Sequence, residues 1–65
     1  MNKVKGFRTM LGMTQIEMAN ELGVSDTTYR TLENKPDKFT LEQINKFLEV
    51  VKRVDPSVKA EDIFF

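Results

Sequence analysis

The stretch QIEMANELGVSDTTYRTLEN, residues 15–34, decides the fold of this 65-residue chain. Small and apolar residues recur in it at helical spacing on both sides of Gly23. Because glycine has no Cβ, Gly23 suits a left-handed turn between two helices. The pattern therefore predicts two short helices that meet at a fixed angle. Their inward stripes consist of Met18, Ala19, Leu22, Tyr29 and Leu32.

Each of these two helices follows a residue that can cap it. Thr14 precedes the first helix, and Glu17, three residues later, can complete a capping box with it. Ser25 precedes the second helix as a good N-cap, and Asp26 favours the positive end of the helix dipole. We therefore expect the helices to begin directly after Thr14 and Ser25.

Similar signals mark further helices on either side of this stretch. Val4, Phe7 and Leu11 line one face of a first helix, which Gly12 can end in a left-handed conformation. On the other side, Pro36 disfavours helical backbone before it and removes an amide donor. A loop is therefore expected around Pro36.

A second capping box begins a fourth helix, with Thr40 as the cap and Gln43 three residues later. The predicted apolar face of this helix consists of Leu41, Ile44, Phe47, Leu48 and Val51. A last short turn carries Ile63, Phe64 and Phe65, of which Ile63 and Phe64 are expected to pack in the core. No strand pattern or repeat appears. The prediction is an all-α fold, a compact bundle of about five short helices.

Length and composition limit the classes of function. Sixty-five residues suffice for one domain, residues 1–65, with a thin core. The sequence has no cysteine or histidine, so disulfides, thiolate–metal sites and the commonest general base are excluded. No nucleophile–base set or phosphate loop appears, and we expect no enzyme, cofactor, metal or small-molecule ligand. No apolar run approaches the roughly 18 residues of a membrane span, and without a signal-peptide pattern a cytoplasmic location is expected.

Between Gln15 and Asn34 the sequence resembles the helix-turn-helix of the lambda-repressor/Cro-type regulator family. Ala19 is small where the two helices of that motif cross most closely, and Gly23 takes the turn. FRTMLGMTQIEMANELGVS is similar to the first two helices of the family, and TLEQINKFLEVV is similar to the fourth. The resemblance implies a lambda-repressor-like DNA-binding domain, with the motif at about residues 15–34 and double-stranded DNA as its partner.

By the same resemblance, the third helix would lie in the major groove of DNA. Base edges would be contacted by Asp26, Thr27 and Thr31, because threonine can bond several bases and aspartate can accept from the cytosine amino group. Asp26 could instead serve only to start the helix, and Ser25 is foremost a cap. Contacts with the DNA backbone are expected from Gln15, Ser25, Thr28, Arg30, Lys35, Lys38 and Thr40.

Arg8 and Glu33 fall where many members of this family place a buried ion pair between the first and third helices. The resemblance implies the same structural pair here. Several positions depart from the family pattern. Tyr29 replaces a small aliphatic residue, so its hydroxyl must find a partner or reach solvent. Lys35 stands where glycine is frequent, Ile16 occupies a usually polar position, and KRVDPSV lengthens the connection between the last two helices.

Ten basic and ten acidic residues cancel, whereas a nucleic-acid binder usually carries a basic excess. Two hypotheses therefore stay open. The first is a sequence-specific DNA-binding transcriptional regulator, a small phage or mobile-element repressor of the Cro type. It would bind a near-palindromic operator as a homodimer, whose two copies either associate in solution or meet only on DNA. Phe64 and Phe65 are candidate dimer contacts. The second is an antirepressor or antitoxin-like protein-binding module that uses Ile16.

Overall fold

The computed structural model describes residues 2–65, and those residues form helices and turns without a strand. The all-α prediction is confirmed, and so is the number of α-helices. The loop predicted around Pro36 contains one 3-10 turn. In chain order the helical segments are α1 (Lys3–Met10), α2 (Gln15–Leu22), α3 (Asp26–Asn34), the 3-10 turn (Pro36–Lys38), α4 (Leu41–Lys52) and α5 (Ala60–Phe64).

Both predicted capping boxes are present. The Thr14 amide donates to Glu17 Oε1 at 2.8 Å, and the Glu17 amide donates to Thr14 Oγ1 at 3.1 Å. At the start of α4 the Thr40 amide donates to Gln43 Oε1 at 2.9 Å, and the Gln43 amide donates to Thr40 Oγ1 at 3.1 Å. Each box satisfies amides that have no partner within the helix, so local sequence determines where α2 and α4 begin.

Two glycines occupy left-handed turns that end helices. Gly12 follows α1 with φ of 72°, and Gly23 follows α2 with φ of 73°. A side chain would strain the backbone at either position. Gly23 sets the angle between α2 and α3, because the chain turns there without a longer loop.

The core lies between α2, α3 and α4, and α5 closes it against α1 and α4. Tyr29 and Phe47 are the largest side chains with no measurable exposure. The buried apolar residues are Val4, Met18, Ala19, Leu22, Tyr29, Leu32, Phe39, Phe47, Val50, Val51, Val58 and Ile63. Because all five α-helices contribute, none is expected to hold its position without the others.

One prediction for α4 is wrong. Leu41 was placed on its apolar face, but it is 74% exposed, and Val50 is buried instead. At about 100° per residue, Leu41 lies roughly 120° around the helix from Phe47, whereas Val50 lies only about 60° away. The buried stripe is centred on Phe47 and Val51, so helical geometry excludes Leu41 despite its apolar side chain.

Three phenylalanine rings meet edge to face between α4 and α5. The Phe64 ring centroid lies 4.8 Å from that of Phe39 and 5.7 Å from that of Phe47. Phe64 is therefore half-buried within its own chain, as expected for a core residue. Its neighbour Phe65 is 80% exposed. Of the two candidate dimer contacts, Phe65 alone presents most of its ring to solvent.

Candidate nucleic-acid interface

Helix α3 has an inner and an outer face with different chemistry. Tyr29, Leu32 and Glu33 are buried on the inner face. Thr27 and Thr31, one helical turn apart, are exposed on the outer face. The helix is therefore held by its inner face while hydroxyl groups project from the other.

The start of α3 is held by a hydroxyl pair. The Thr28 amide donates to Ser25 Oγ at 3.1 Å, and the Ser25 hydroxyl donates to Thr28 Oγ1 at 2.9 Å. Ser25 is thus the N-cap, as expected from its position. The Ser25 hydroxyl hydrogen is bonded to Thr28. The exposed hydroxyl oxygens of Ser25 and Thr28 each keep a lone pair that could accept a further hydrogen bond.

The Thr31 hydroxyl bonds back onto its own helix. It donates to the Thr27 carbonyl at 3.2 Å, which is the i−4 pattern common for helical threonine. A hydroxyl has one donor, so the free chemistry of Thr31 consists of oxygen lone pairs and a methyl group.

Asp26 and Arg30 face each other across one turn of α3. Arg30 Nη2 lies 3.9 Å from Asp26 Oδ2, and about half of each side chain is exposed. Such a long, solvated pair contributes little to stability. It does place the two charges close together, so the Arg30 cation is partly balanced on this face.

A buried ion pair lies beneath α3 and joins it to α1. Arg8 Nε donates to Glu33 Oε2 at 2.7 Å, and Arg8 Nη2 donates to Glu33 Oε1 at 3.0 Å. Only 12% of the Arg8 side chain and 3% of the Glu33 side chain are exposed. A third guanidinium donor reaches the Met13 carbonyl at 2.7 Å. The pair expected between the first and third helices is therefore present, and it also holds the connection from α1 to α2.

The interactions of this ion pair shift the pKa values of both Arg8 and Glu33. Burial opposes ionisation of Glu33, but the hydrogen bonds and charge of Arg8, together with the neighbouring Tyr29 hydroxyl and Gln15 amide, outweigh it, so the pKa of Glu33 is below its ordinary value. The hydrogen bond with Glu33 raises the pKa of Arg8. Both groups are thus charged at neutral pH.

Gln15 extends this network to the first turn of α2. Its Nε2 donates to Glu33 Oε1 at 3.3 Å, and the side chain is half-buried. An amide nitrogen carries two hydrogens, so one donor stays free. The residue expected to touch a phosphate is therefore oriented by the buried carboxylate of Glu33.

The Tyr29 hydroxyl is buried beside the same ion pair. Among the described residues, no atom lies at hydrogen-bonding geometry to it. Burial, followed by the proximity of Glu33, raises the pKa of Tyr29. The hydroxyl is therefore buried beside Glu33 and Arg8 without a well-formed hydrogen bond.

The residues directly after α3 add exposed polar and cationic groups. Lys35 directly follows α3, Lys38 ends the 3-10 turn, and Thr40 caps α4. Within residues 2–65, neither Lys35 nor Lys38 forms an ion pair. Both cations are therefore available to a partner from outside the chain.

A helix-turn-helix family matches residues 4–58 of the chain. The chain belongs to this lambda-repressor/Cro-type helix-turn-helix family. Comparisons with curated proteins and with solved structures found no match.

The family assignment makes this helix-turn-helix protein a DNA-binding transcription regulator. Its family is a regulatory DNA-binding domain rather than a typical enzyme. Over the part of the chain that the structure describes, no helix is long and apolar enough to cross a membrane. Which residues of this helix-turn-helix protein touch DNA stays a prediction.

The structure adds two links that the sequence analysis did not include. Asn2 caps α1 and also donates its side-chain amide to the Glu33 carbonyl. Arg53 donates twice to Glu21 at 2.9 and 3.0 Å, which ties the lengthened connection after α4 to α2. An asparagine directly before a helix signals a cap, but both longer links join residues more than 30 positions apart and have no local signal.

Proposed function

We propose that this protein is a sequence-specific repressor of the Cro type, from a phage or mobile element, that acts in the cytoplasm. Two copies would place their α3 helices in successive major grooves, roughly 34–36 Å apart, on a near-palindromic operator. Occupation of that site would block transcription. The observation that carries the proposal is the outer face of α3, where Thr27 and Thr31 are exposed while the opposite face is anchored in the core.

Base recognition would come from three side chains near the start and middle of α3. The Thr27 hydroxyl can donate or accept. Because Thr31 already donates to the Thr27 carbonyl, it would accept from an adenine or cytosine amino group or place its methyl on thymine. Asp26 would accept from cytosine N4, which requires Arg30 to turn from Asp26 toward a phosphate.

Contacts with the DNA backbone would set the position of α3 without reading sequence. Lys35 and Lys38 supply cations from the segment after α3, joined by Arg30 once it leaves Asp26. The free amide donor of Gln15 would point to a phosphate while Glu33 holds the other donor. The hydroxyl contacts would come from Ser25, Thr28 and Thr40, whose oxygens lie at the starts of α3 and α4.

Selection of bound duplexes from a random pool tests this function. The wild type should recover a symmetric motif, and Thr27→Ala and Thr31→Ala should each relax the preference at one position per half-site, by about 1–3 kcal/mol. Thr9→Ala is a matched control, because Thr9 is an exposed threonine of α1 that makes the same back-bond, to the Lys5 carbonyl at 2.8 Å. Absence of any preferred sequence, or an equal effect of the control, argues against the proposal.

A second candidate function is a protein-binding module, such as an antirepressor or antitoxin-like protein. Ile16 favours it, because this residue is 53% exposed at the first turn of α2. If the protein works in this way, Ile16→Lys should abolish partner binding while the parent shows no preference among DNA duplexes. Selective DNA binding by the parent, unchanged in Ile16→Lys, would eliminate this candidate.

A further inference from the structure

One face of the molecule carries both an exposed aromatic ring and an apolar groove. The groove lies along α1, has a volume of about 220 Å³, and is lined by Asn2, Lys3, Gly6, Phe7 and Met10. We call it the Gly6 groove. The hollow beside it is lined by the same Asn2 and Lys3 and by the C-terminal residues Phe64 and Phe65. The ring of Phe65 and the Gly6 groove are therefore neighbours on one surface.

Nothing in the conformation or packing of its own chain requires a glycine at position 6. It lies inside α1, and its φ is not positive. A Cβ built on it would meet no atom within 4 Å. Glycine inside a helix lowers stability by roughly 0.5–1 kcal/mol relative to alanine. Neither backbone conformation nor internal packing explains this glycine, whereas close approach of an outside group would.

The size and chemistry of the groove suit an apolar side chain. Its volume of about 220 Å³ is smaller than the roughly 300–1,000 Å³ of small-molecule pockets. Among its lining residues, Phe7 is half-buried and Met10 is 55% exposed. Methionine adapts its shape to aromatic rings and contacts them favourably. A phenylalanine ring is thus a fitting occupant.

The charges around this face complement one another. Helix α1 presents exposed Lys3 beside both hollows, and α5 carries exposed Glu61 and Asp62. Within residues 2–65, these three side chains form no ion pair. If α1 of one copy lay against α5 of another, Lys3 would meet carboxylates twice, because a two-fold interface repeats each contact.

We propose that a second copy of this chain docks on this face, and that each copy inserts Phe65 into the Gly6 groove of the other. The inference rests on the dimer in the proposed function and assigns its surface. A ring beside a groove is self-complementary under a two-fold axis, so the contact closes as a dimer rather than growing into a filament. Docking would also cover the exposed Phe65 and Met10.

Sedimentation over a concentration series tests this interface. The wild type should dimerise, and Gly6→Gln, which fills the groove, and Phe65→Ala, which removes the ring, should each raise the dissociation constant at least about tenfold. Gly6→Gln should also melt at a higher temperature as a monomer, because glutamine favours helix more than glycine. Leu41→Ala is the control, because Leu41 is an exposed apolar residue on α4 that lines neither hollow.

Mixing the two variants gives the decisive result. In a mixed dimer the Phe65 ring of the Gly6→Gln copy would enter the intact groove of the Phe65→Ala copy. The Gly6→Gln homodimer has two rings but no open groove, and the Phe65→Ala homodimer has two grooves but no ring. The mixed dimer should therefore be tighter than both homodimers. A monomeric wild type, variants that dimerise normally, or no preference for the mixed dimer would each overturn the inference.

The same variants separate this inference from the proposed function. On a duplex that carries a single half-site, Gly6→Gln and Phe65→Ala should bind as the wild type does. A wild type that dimerises as described but prefers no DNA sequence would refute the function and leave the interface standing. Selective DNA binding combined with normal dimerisation of both variants would refute the interface alone.

Discussion

Glu33 connects three helices through its side chain and its backbone. Its carboxylate accepts from Arg8 in α1 and Gln15 in α2, and its carbonyl accepts from the Asn2 cap. Because the carboxylate is nearly inaccessible to water, loss of either charge leaves the other buried without compensation. This residue therefore couples stability of the fold to placement of a predicted DNA contact.

We expect Glu33→Gln to lower the free energy of unfolding by about 3–5 kcal/mol at pH 7, because Arg8 loses its counter-charge. Urea unfolding measures this loss. Joint replacement of Arg8 and Glu33 by methionine should recover much of the stability, since apolar pairs replace buried ion pairs well. Arg53→Gln, which breaks the exposed pair with Glu21, should change stability little. A similarly small effect of Glu33→Gln would contradict the role of Glu33 as the buried counter-charge of Arg8.

The wild type should lose stability in acid because of Glu33. Its pKa is lower in the folded than in the unfolded chain. The contribution is therefore complete above the ordinary glutamate pKa and disappears as pH falls through the lowered value. Urea unfolding of wild type and Glu33→Gln between neutral and acid pH should show their difference shrinking. A constant difference would mean that Glu33 titrates normally in the folded protein.

Tyr29→Phe should raise the free energy of unfolding by about 1–3 kcal/mol. The substitution keeps the buried ring and removes a hydroxyl that has no hydrogen bond among the described residues. Thermal and urea unfolding measure the change. Tyr29→Leu is the control, and it should destabilise because it leaves a cavity. If Tyr29→Phe destabilised the protein, the hydroxyl would have a partner in solution.

At the scale of the helical elements, short signals determine where each helix starts and stops. Two capping boxes begin α2 and α4, and left-handed glycines end α1 and α2. The residues of each signal lie within four positions of one another, so the signals can be identified from the sequence without knowledge of the fold. The turn between α2 and α3 depends on one of them, Gly23.

Alanine in place of Gly23 and of Gly6 should have opposite effects. Gly23→Ala should destabilise by about 1–2 kcal/mol, because its φ of 73° is left-handed. Crowding would not add to this, since the nearest atom to a new Cβ, Lys46 Nζ, is 3.9 Å away. Gly6→Ala should stabilise the monomer by roughly 0.5–1 kcal/mol. Thermal unfolding of dilute protein compares the two variants. Equal signs would contradict the conformations assigned to them.

For the whole molecule, a net charge of zero means that DNA affinity depends on how charges are placed. Arg30, Lys35 and Lys38 are the cations assigned to phosphates, and Arg30 is partly balanced by Asp26 in the free protein. Nonspecific affinity should therefore be modest, and specific binding should depend on base contacts and on the second copy.

Binding of the dimer to its selected operator should show a salt slope of about −5 in log K against log salt, from roughly six phosphate contacts. Lys35→Ala should reduce the magnitude by about 2, one contact for each copy, without changing the preferred sequence. Titrations of labelled operator across a salt series measure both slopes. Lys52→Ala is the control, because Lys52 is an exposed lysine on α4 to which no phosphate contact is assigned. A flat response would exclude phosphate contacts as assigned.

Local sequence alone determined the number of α-helices, the capping boxes, the turn glycines and the inward stripes of α2 and α3, because each depends on residues within a turn or two. The Arg8–Glu33 pair was expected from the family resemblance. Helical geometry also places Leu41 outside the stripe centred on Phe47 and Val51. Only the tertiary structure decided that Phe65 stays exposed and that Gln15 is held by Glu33. These features depend on which distant surfaces meet, and spacing along a chain does not specify that.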